Sequence, residues 1–291
     1  MSEAQSIQWF PGHMTRTKRQ IEKYLKQVDA VAEIVDARIP VSSRNPDLDR
    51  LIQNKPRVIL LNKSDMADAA ATKDWVVSYQ QQQISAIPVD CKSGRGLRAF
   101  QPAVKAALAP RIEAWKQKGM VGRTIRVMIV GVPNVGKSSR INRLSNGSHA
   151  AVEDRPGVTR ANQWFPIGKG FDLLDTPGVL WPKFEDKVVG EHLAFTGAVK
   201  DDVVDTEGLA ARLLELLCRL YPDALRARYK LEQADFSQLE GWQVLELIGQ
   251  KRGMLIAGGE IDTERASMML LDEFRGGKIG RITLERAGKV R

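Results

Sequence analysis

"LLNKSD", residues 60–65, and "GVPNVGKSS", residues 131–139, decide the fold between them. Asn62, Lys63 and Asp65, with Ser64 among them, carry the side chains a guanine pocket requires. The second stretch reads Gly131-x-x-x-x-Gly136-Lys137-Ser138 and follows the apolar run "TIRVMIVG" (124–131). Glycines there let backbone N–H groups turn inward around phosphate oxygens, and the next helix aims its positive end at them. In most chains of this type the phosphate loop comes first. Here the base-reading residues precede it, so the order predicts a circular permutation, which leaves a sheet's spatial order intact when the old termini lay close together.

Each motif has a chemical reason. Lys137 bridges the outer phosphates and the Ser138 hydroxyl ligates Mg²⁺, with Asn134, Val135, Gly136 and Ser139 completing the cradle. Asp175-Thr176-Pro177-Gly178 closes a later strand: Asp175 can hold Mg²⁺ through water, and the Gly178 N–H can meet a γ-phosphate. Thr159, the only threonine between Ser138 and Asp175, is the natural switch residue, closing its hydroxyl onto Mg²⁺ when the γ-phosphate is present. Each piece alone is a common turn; in this order they form a nucleotide switch. The Asp65 carboxylate accepts from guanine N1–H and the 2-amino group, which adenine cannot donate, and the wrong base leaves it unpaired. Asn62 braces the neighbouring loops and the Lys63 stem lies along the base plane. "VDCKSG" (89–94), with Asp90 and Cys91, supplies the Cys91 N–H to the guanine oxygen.

The frame around these motifs is α/β. "AVAEIVDAR" (30–38), "RVILLNK" (57–63), "ISAIPVD" (84–90), "TIRVMIVG" and "FDLLDTPG" (171–178) read as strands buried on both faces. Helical stretches such as 98–116 lie between several of them, which argues a doubly wound, mainly parallel sheet. An amphipathic helix over 15–28 presents Ile21, Leu25 and Val28 on one face. Beyond about residue 200 strand signals stop, and Leu209, Leu213, Leu216, Leu217 and Leu220 recur at helical spacing. The expected organisation is a permuted nucleotide-binding domain over 1–182 and a linker with a small all-helical domain over 183–291.

Composition sets the class. The 291 residues are 43% hydrophobic and 27% charged, as in a globular protein. No apolar run approaches ~18 residues, so no membrane span is expected. The N-terminus carries an early Glu3 and no apolar h-region, unlike a signal peptide. Cys91 and Cys218 form neither metal spacing nor a disulfide framework, which fits a reducing, cytoplasmic setting. Forty-four Lys and Arg against 35 Asp and Glu give a net charge of +9, favouring a polyanionic partner over the alternative of a generally basic surface. The charge concentrates near residues 16–26 and 275–291.

"WFPGHM" (9–14), "DARIPVSSRNP" (36–46), "NKSD", "PNVGKS", "PGVTR", "DTPGVLWP" and "GGKIGRITLE" together resemble the bacterial ribosome biogenesis GTPase A family (RbgA/YlqF) of circularly permuted GTPases. The resemblance spans nearly the whole chain. It implies a GTP-hydrolysing factor for late maturation of the large ribosomal subunit, bound to precursor rRNA and ribosomal proteins, released on hydrolysis and monomeric off the ribosome. Val179 stands where many switch GTPases place a water-orienting glutamine; the resemblance points to His13 as the substitute, against the alternative that His13 packs the N-terminal helix. Asn134 resembles the asparagine of potassium-stimulated GTPases, which implies K⁺ beside the phosphates; a plain turn asparagine is the alternative. Arg140 departs from the family by replacing a leucine that packs the first helix, and must reach the surface or a carboxylate. Val179 and Arg140 leave a second reading open, an RNA-binding ribosome-assembly scaffold with a largely structural nucleotide pocket. An ATPase or kinase is opposed by "NKSD", and a small-subunit relative by the absence of cysteine pairs for a zinc module.

Overall fold

The computed structural model describes residues 19, 21–52, 55–136, 163–176, 186–199, 201 and 204–288. These fall into two compact units, one of residues 186–284 and one of residues 19–176 joined by the tail residues 285–288.

The larger unit is built on a six-stranded sheet: β1 (Ala30–Asp36), β2 (Arg57–Asn62), β3 (Ser85–Pro88), β4 (Ile125–Val130), β5 (Gln163–Pro166) and β6 (Phe171–Asp175). Spatial order is β3-β2-β1-β4-β6-β5. Every pairing is parallel except that of β5 with β6. The phosphate-loop strand β4 thus lies in the middle, between β1 and β6, although three strands precede it in the chain. That is the permuted arrangement the motif order predicts. β5 is an antiparallel edge strand for which the sequence offers no clear alternation. Between the strands lie α1 (Pro46–Ile52), α2 (Ala69–Gln81), α3 (Phe100–Ala107) and α4 (Ala109–Gln117). The helix expected over 98–116 is broken at Leu108 because Pro110, in the first turn of α4, has no N–H to continue the ladder. α2 starts where Asp68 accepts the Ala70 and Ala71 N–H groups, a side-chain cap.

Burial follows the periodicity. β1 is buried along its whole length, as a strand at the centre of a covered sheet must be. On one face Ile21, Leu25, Val28, Val31, Leu48, Ile52, Met128, Val130 and Leu174 form an apolar cluster, so the described part of the N-terminal helix docks by the stripe its sequence presents. Val35, Ile59, Leu61, Trp75 and Tyr79 form a second cluster. Each such side chain contributes roughly 1.5–3 kcal/mol by leaving water. Between the clusters sits Glu33, in register with Ile59 and Val130. Burial pushes its carboxyl upward, while Arg44 (3.3 Å) and Arg57 (3.5 Å) oppose that shift.

The smaller unit comprises α5 (Lys187–Phe195), α6 (Thr206–Leu220), α7 (Pro222–Tyr229), α8 (Gly241–Lys251) and α9 (Thr263–Arg275). Asp205 and Asp262 cap α6 and α9, and Glu240 with Gln243 forms a capping box on α8. Leu209, Leu213 and Leu217 are buried as their spacing predicts. Leu214 is buried too, whereas Leu216 and Leu220 are half-buried. Glu273 is held among Arg228 (Nε, 2.9 Å) and the Tyr229 hydroxyl (2.9 Å). No described helix is long and apolar enough to cross a membrane.

Candidate functional site

The parallel strands β1, β2, β4 and β6 all point their carboxyl ends to one edge of the sheet, and the chain reverses direction of growth between β1 and β4. Doubly wound sheets bind ligands outside such a switch point. Asp36, Asn62, Gly131 and Asp175 stand at those ends or just beyond them.

The loop after β4 is shaped by close approach. A Cβ on Gly131 would lie 2.5 Å from the Ile34 carbonyl oxygen, so no side chain fits. Asn134 (φ 58°) and Gly136 (φ 93°) turn through the left-handed region, which asparagine and glycine tolerate best. At Gly136 a Cβ would collide with the Asn62 amide. Val135 is buried, and its carbonyl accepts from Asn62 Nδ2 at 2.5 Å.

Asn62 holds three loops together. Its Nδ2 donates to the phosphate loop, and its Oδ1 accepts the Cys91 N–H at 2.9 Å. The side chain is buried, so each bond replaces water that has been excluded. The Cys91 N–H, which the sequence assigns to a guanine oxygen, is thus engaged by Asn62 in this structure. Ser64 fastens its own loop to the one that holds Cys91: its N–H (3.2 Å) and hydroxyl (2.9 Å) both donate to the Val89 carbonyl. Asp90 accepts the N–H groups of Lys92 (2.9 Å) and Ser93 (3.2 Å), an Asx-type turn shaping 89–94. Burial works against its ionisation, but the bonds from Ser93 and Lys92 prevail and hold the carboxyl below the usual carboxylate range.

Lys63 adopts a left-handed backbone (φ 58°), and its ammonium lies 3.1 Å from Asp36 Oδ2. The half-buried Asp65 follows. Its Oδ1 is fully buried and meets no hydrogen-bond donor among the described residues. A buried acceptor left open is costly, and a donor pair such as guanine N1–H and N2–H would satisfy it. Asp175, buried at the end of β6, is in register with Ile129 of β4, and the Thr176 hydroxyl ties the strand end to the Ile129 carbonyl at 2.6 Å. A buried carboxylate beside the phosphate loop fits the part of a Mg²⁺ holder through water.

Of the sequence-predicted residues, Asn62, Lys63, Ser64, Asp65, Asp90, Cys91, Asn134, Val135, Gly136 and Asp175 belong to the loops and strand ends at this edge. His13, Lys137, Ser138, Ser139, Thr159 and Gly178 lie outside the described residues, as do Arg140 and Val179. One participant escapes sequence reasoning: Asp36, which holds Lys63, was legible only as part of the "DAR" motif, with no partner implied.

Residues 126–225 match a family model described as "50S ribosome-binding GTPase". A Bacillus cereus protein named ribosome biogenesis GTPase A is 45% identical over 96% of this chain and 93% of its own. The protein of the same name from Thermotoga maritima is 31% identical over 96% of this chain and 94% of its own. Among solved structures, that of GNP-bound YlqF from T. maritima superposes with a TM-score of 0.67 at 30% identity, covering 94% of this chain and all of the other. A GDP-bound YlqF structure gives 0.66, covering 92% and 99%.

Proposed function

The chain belongs to the ribosome biogenesis GTPase A family and is a GTPase, and on that premise we propose that it acts in late maturation of the large ribosomal subunit, binding the precursor particle through rRNA and ribosomal proteins and leaving on hydrolysis. The observation that carries the nucleotide reading is the open, buried Asp65 Oδ1 beside an Asn62 that already joins the base-reading and phosphate loops. The large-subunit assignment rests on the "50S ribosome-binding" description of the matching family and on the excess of basic residues.

In this reading Asp65 accepts from guanine N1–H and the 2-amino group, and the Lys63 stem lies on the base. Lys137 and the backbone of 134–139 hold the phosphates. Ser138, Thr159 and, through water, Asp175 would hold Mg²⁺, which when bound would neutralise charge on the phosphate oxygens. Gly178 meets the γ-phosphate. Hydrolysis needs a water held in line, and Val179 has no group to hold it. His13 orients that water or accepts its proton near neutral pH. Asn134 would contribute to a K⁺ site. Off the ribosome the protein is a cytoplasmic monomer. Thr159 and Gly178 respond to the γ-phosphate, and the helical unit follows the switch directly in the chain, so the two nucleotide states present it differently to RNA.

The test is GTP turnover with and without purified large subunits, in K⁺ and in Na⁺, for the parent and His13→Ala. Stimulation by subunits that collapses in His13→Ala is the expected result. Subunit binding without stimulated turnover overturns the link between hydrolysis and release, and stimulation retained in His13→Ala removes His13 from the chemistry.

A further inference from the structure

The geometry points to Asp36, clamped by Arg38, as a positioning residue that sets Lys63 and through it the guanine-reading loop. This rests on the reading of residues 62–65 as a guanine pocket. Asp36 ends β1 in direct register with Asn62 at the end of β2. Both Asp36 and Arg38 are 1% exposed. Arg38 grips the carboxylate with a fork, Nε to Oδ1 at 2.9 Å and Nη2 to Oδ2 at 2.7 Å, and adds its own N–H to Oδ1 at 3.0 Å. The Asp36 N–H donates to Ser43 Oγ at 3.0 Å, and that hydroxyl donates to the Ile39 carbonyl at 2.7 Å. With the carboxylate so fixed, Oδ2 still takes the Lys63 ammonium at 3.1 Å.

A surface ion pair would mean little here, because two flexible side chains rarely hold one geometry in water. This acid differs in three respects. It is dry, so a lost partner leaves an uncompensated charge. It is gripped at both oxygens by a planar fork that a lysine could not supply. Its third partner sits in a left-handed conformation that a non-glycine residue adopts only when its surroundings insist. The Asp36 contact is one such constraint on Lys63. It lies between Asn62, which fixes the phosphate loop, and Asp65, whose open oxygen faces no described donor. Releasing Lys63 from Asp36 lets residues 63–65 relax and misplaces Asp65. Arg38 contributes at one remove: without its fork the carboxylate would rotate and the Lys63 contact would go with it.

The experiment is nucleotide binding by the full-length protein, with fluorescent mant-GDP displaced by GDP, IDP or ADP and the melting temperature recorded alongside. IDP lacks the 2-amino group that Asp65 accepts. The parent should prefer GDP to IDP, and Asp36→Asn should weaken GDP by about tenfold or more and bring the GDP/IDP ratio towards one. Asp36→Asn combined with Lys63→Met should lose less GDP affinity than the sum of the two single losses, since both changes remove the Asp36–Lys63 contact. An Asp36→Asn protein that melts lower but keeps the parental GDP affinity and ratio overturns the proposal, leaving the pair a purely structural one. Additive losses in the double variant overturn it as well. Should Asp36→Asn fail to fold, Arg38→Lys keeps the charge and removes the fork; it should lower the GDP/IDP ratio, and an unchanged ratio overturns the proposal. A parent that binds GDP and ADP equally overturns the guanine reading itself, an outcome distinguishable because it needs no variant.

Discussion

Glu285 accepts the backbone N–H of Ser42 (3.1 Å) across 243 residues of chain, and its other oxygen takes the N–H of Val41 (2.5 Å). The Ser42 hydroxyl donates to the same carboxylate. Trp75 donates its indole N–H to the Glu285 carbonyl at 3.0 Å, and Arg286 pairs with Asp68, the cap of α2, at 3.1 Å. The carboxyl-terminal tail therefore closes over the loop that follows Asp36.

Removing this clasp should loosen the base-reading half. Glu285→Ala leaves two backbone N–H groups and a hydroxyl to find other partners, and hydrogen bonds to a charged acceptor are worth ~1.5–3 kcal/mol each. Because the site is partly exposed, water will make good part of that, and we expect a loss of about 2 kcal/mol by urea unfolding. A chain ending at Leu284 should lose more, since the Trp75 bond goes too. Parental stability in both variants would show that the clasp is decorative.

Asn62→Ala should be harsher than its exposure-matched neighbours. It strips the Val135 carbonyl and the Cys91 N–H of their side-chain partner inside a buried site. A cost of roughly 2–4 kcal/mol and a large drop in mant-GDP affinity are expected. A variant that melts lower yet binds GDP like the parent would separate Asn62 from the nucleotide site.

Asp65→Asn should exchange one base for another. An amide N–H in place of a carboxylate oxygen opposes the guanine 2-amino group but suits the carbonyl of xanthine at the same position. GTP binding is expected to fall by about tenfold or more while XTP binding rises. Competition against mant-GDP reads both; loss of all nucleotides together would contradict the assignment.

The helical unit should respond to acid through Glu273. The hydrogen bond from Arg228, against the burial that opposes it and with the help of Tyr229, holds the Glu273 carboxyl below its ordinary value. Its folded-state value therefore lies below the unfolded one. Its contribution to stability is complete above the unfolded value of about 4.3 and is lost as pH falls through the folded value. Glu273→Gln should lower stability at pH 7 and flatten the acid limb below about pH 4. Circular dichroism melts of the full chain between pH 7 and 3 check both, and an acid limb of parental slope would refute it.

The sequence by itself determined the class, the permutation and the outline of the site. Strands β1, β2, β4 and β6 were legible because each is a short, continuous apolar run, and a parallel strand covered on both faces demands that pattern. The order of "NKSD" and "GVPNVGKSS" carried the permutation, since glycine spacing and amide chemistry are local properties. The helical unit was legible from leucine periodicity, although which of Leu214, Leu216 and Leu220 is most buried depends on where α8 and α9 fall against α6. Tertiary structure alone decided what buried polar groups do. Nothing local distinguishes the Asp36 that grips Lys63, or the Glu33 lodged between two apolar clusters, from acids that face water. Their states are set by Arg38, Arg44 and Arg57, which reach them only once the strands are paired. Glu285 is the extreme instance, because a partner 243 residues away leaves no trace in spacing or periodicity. Apolar burial follows a period that the chain carries along its length, whereas a buried charge is defined by the partner that answers it, and that partner is chosen by the fold.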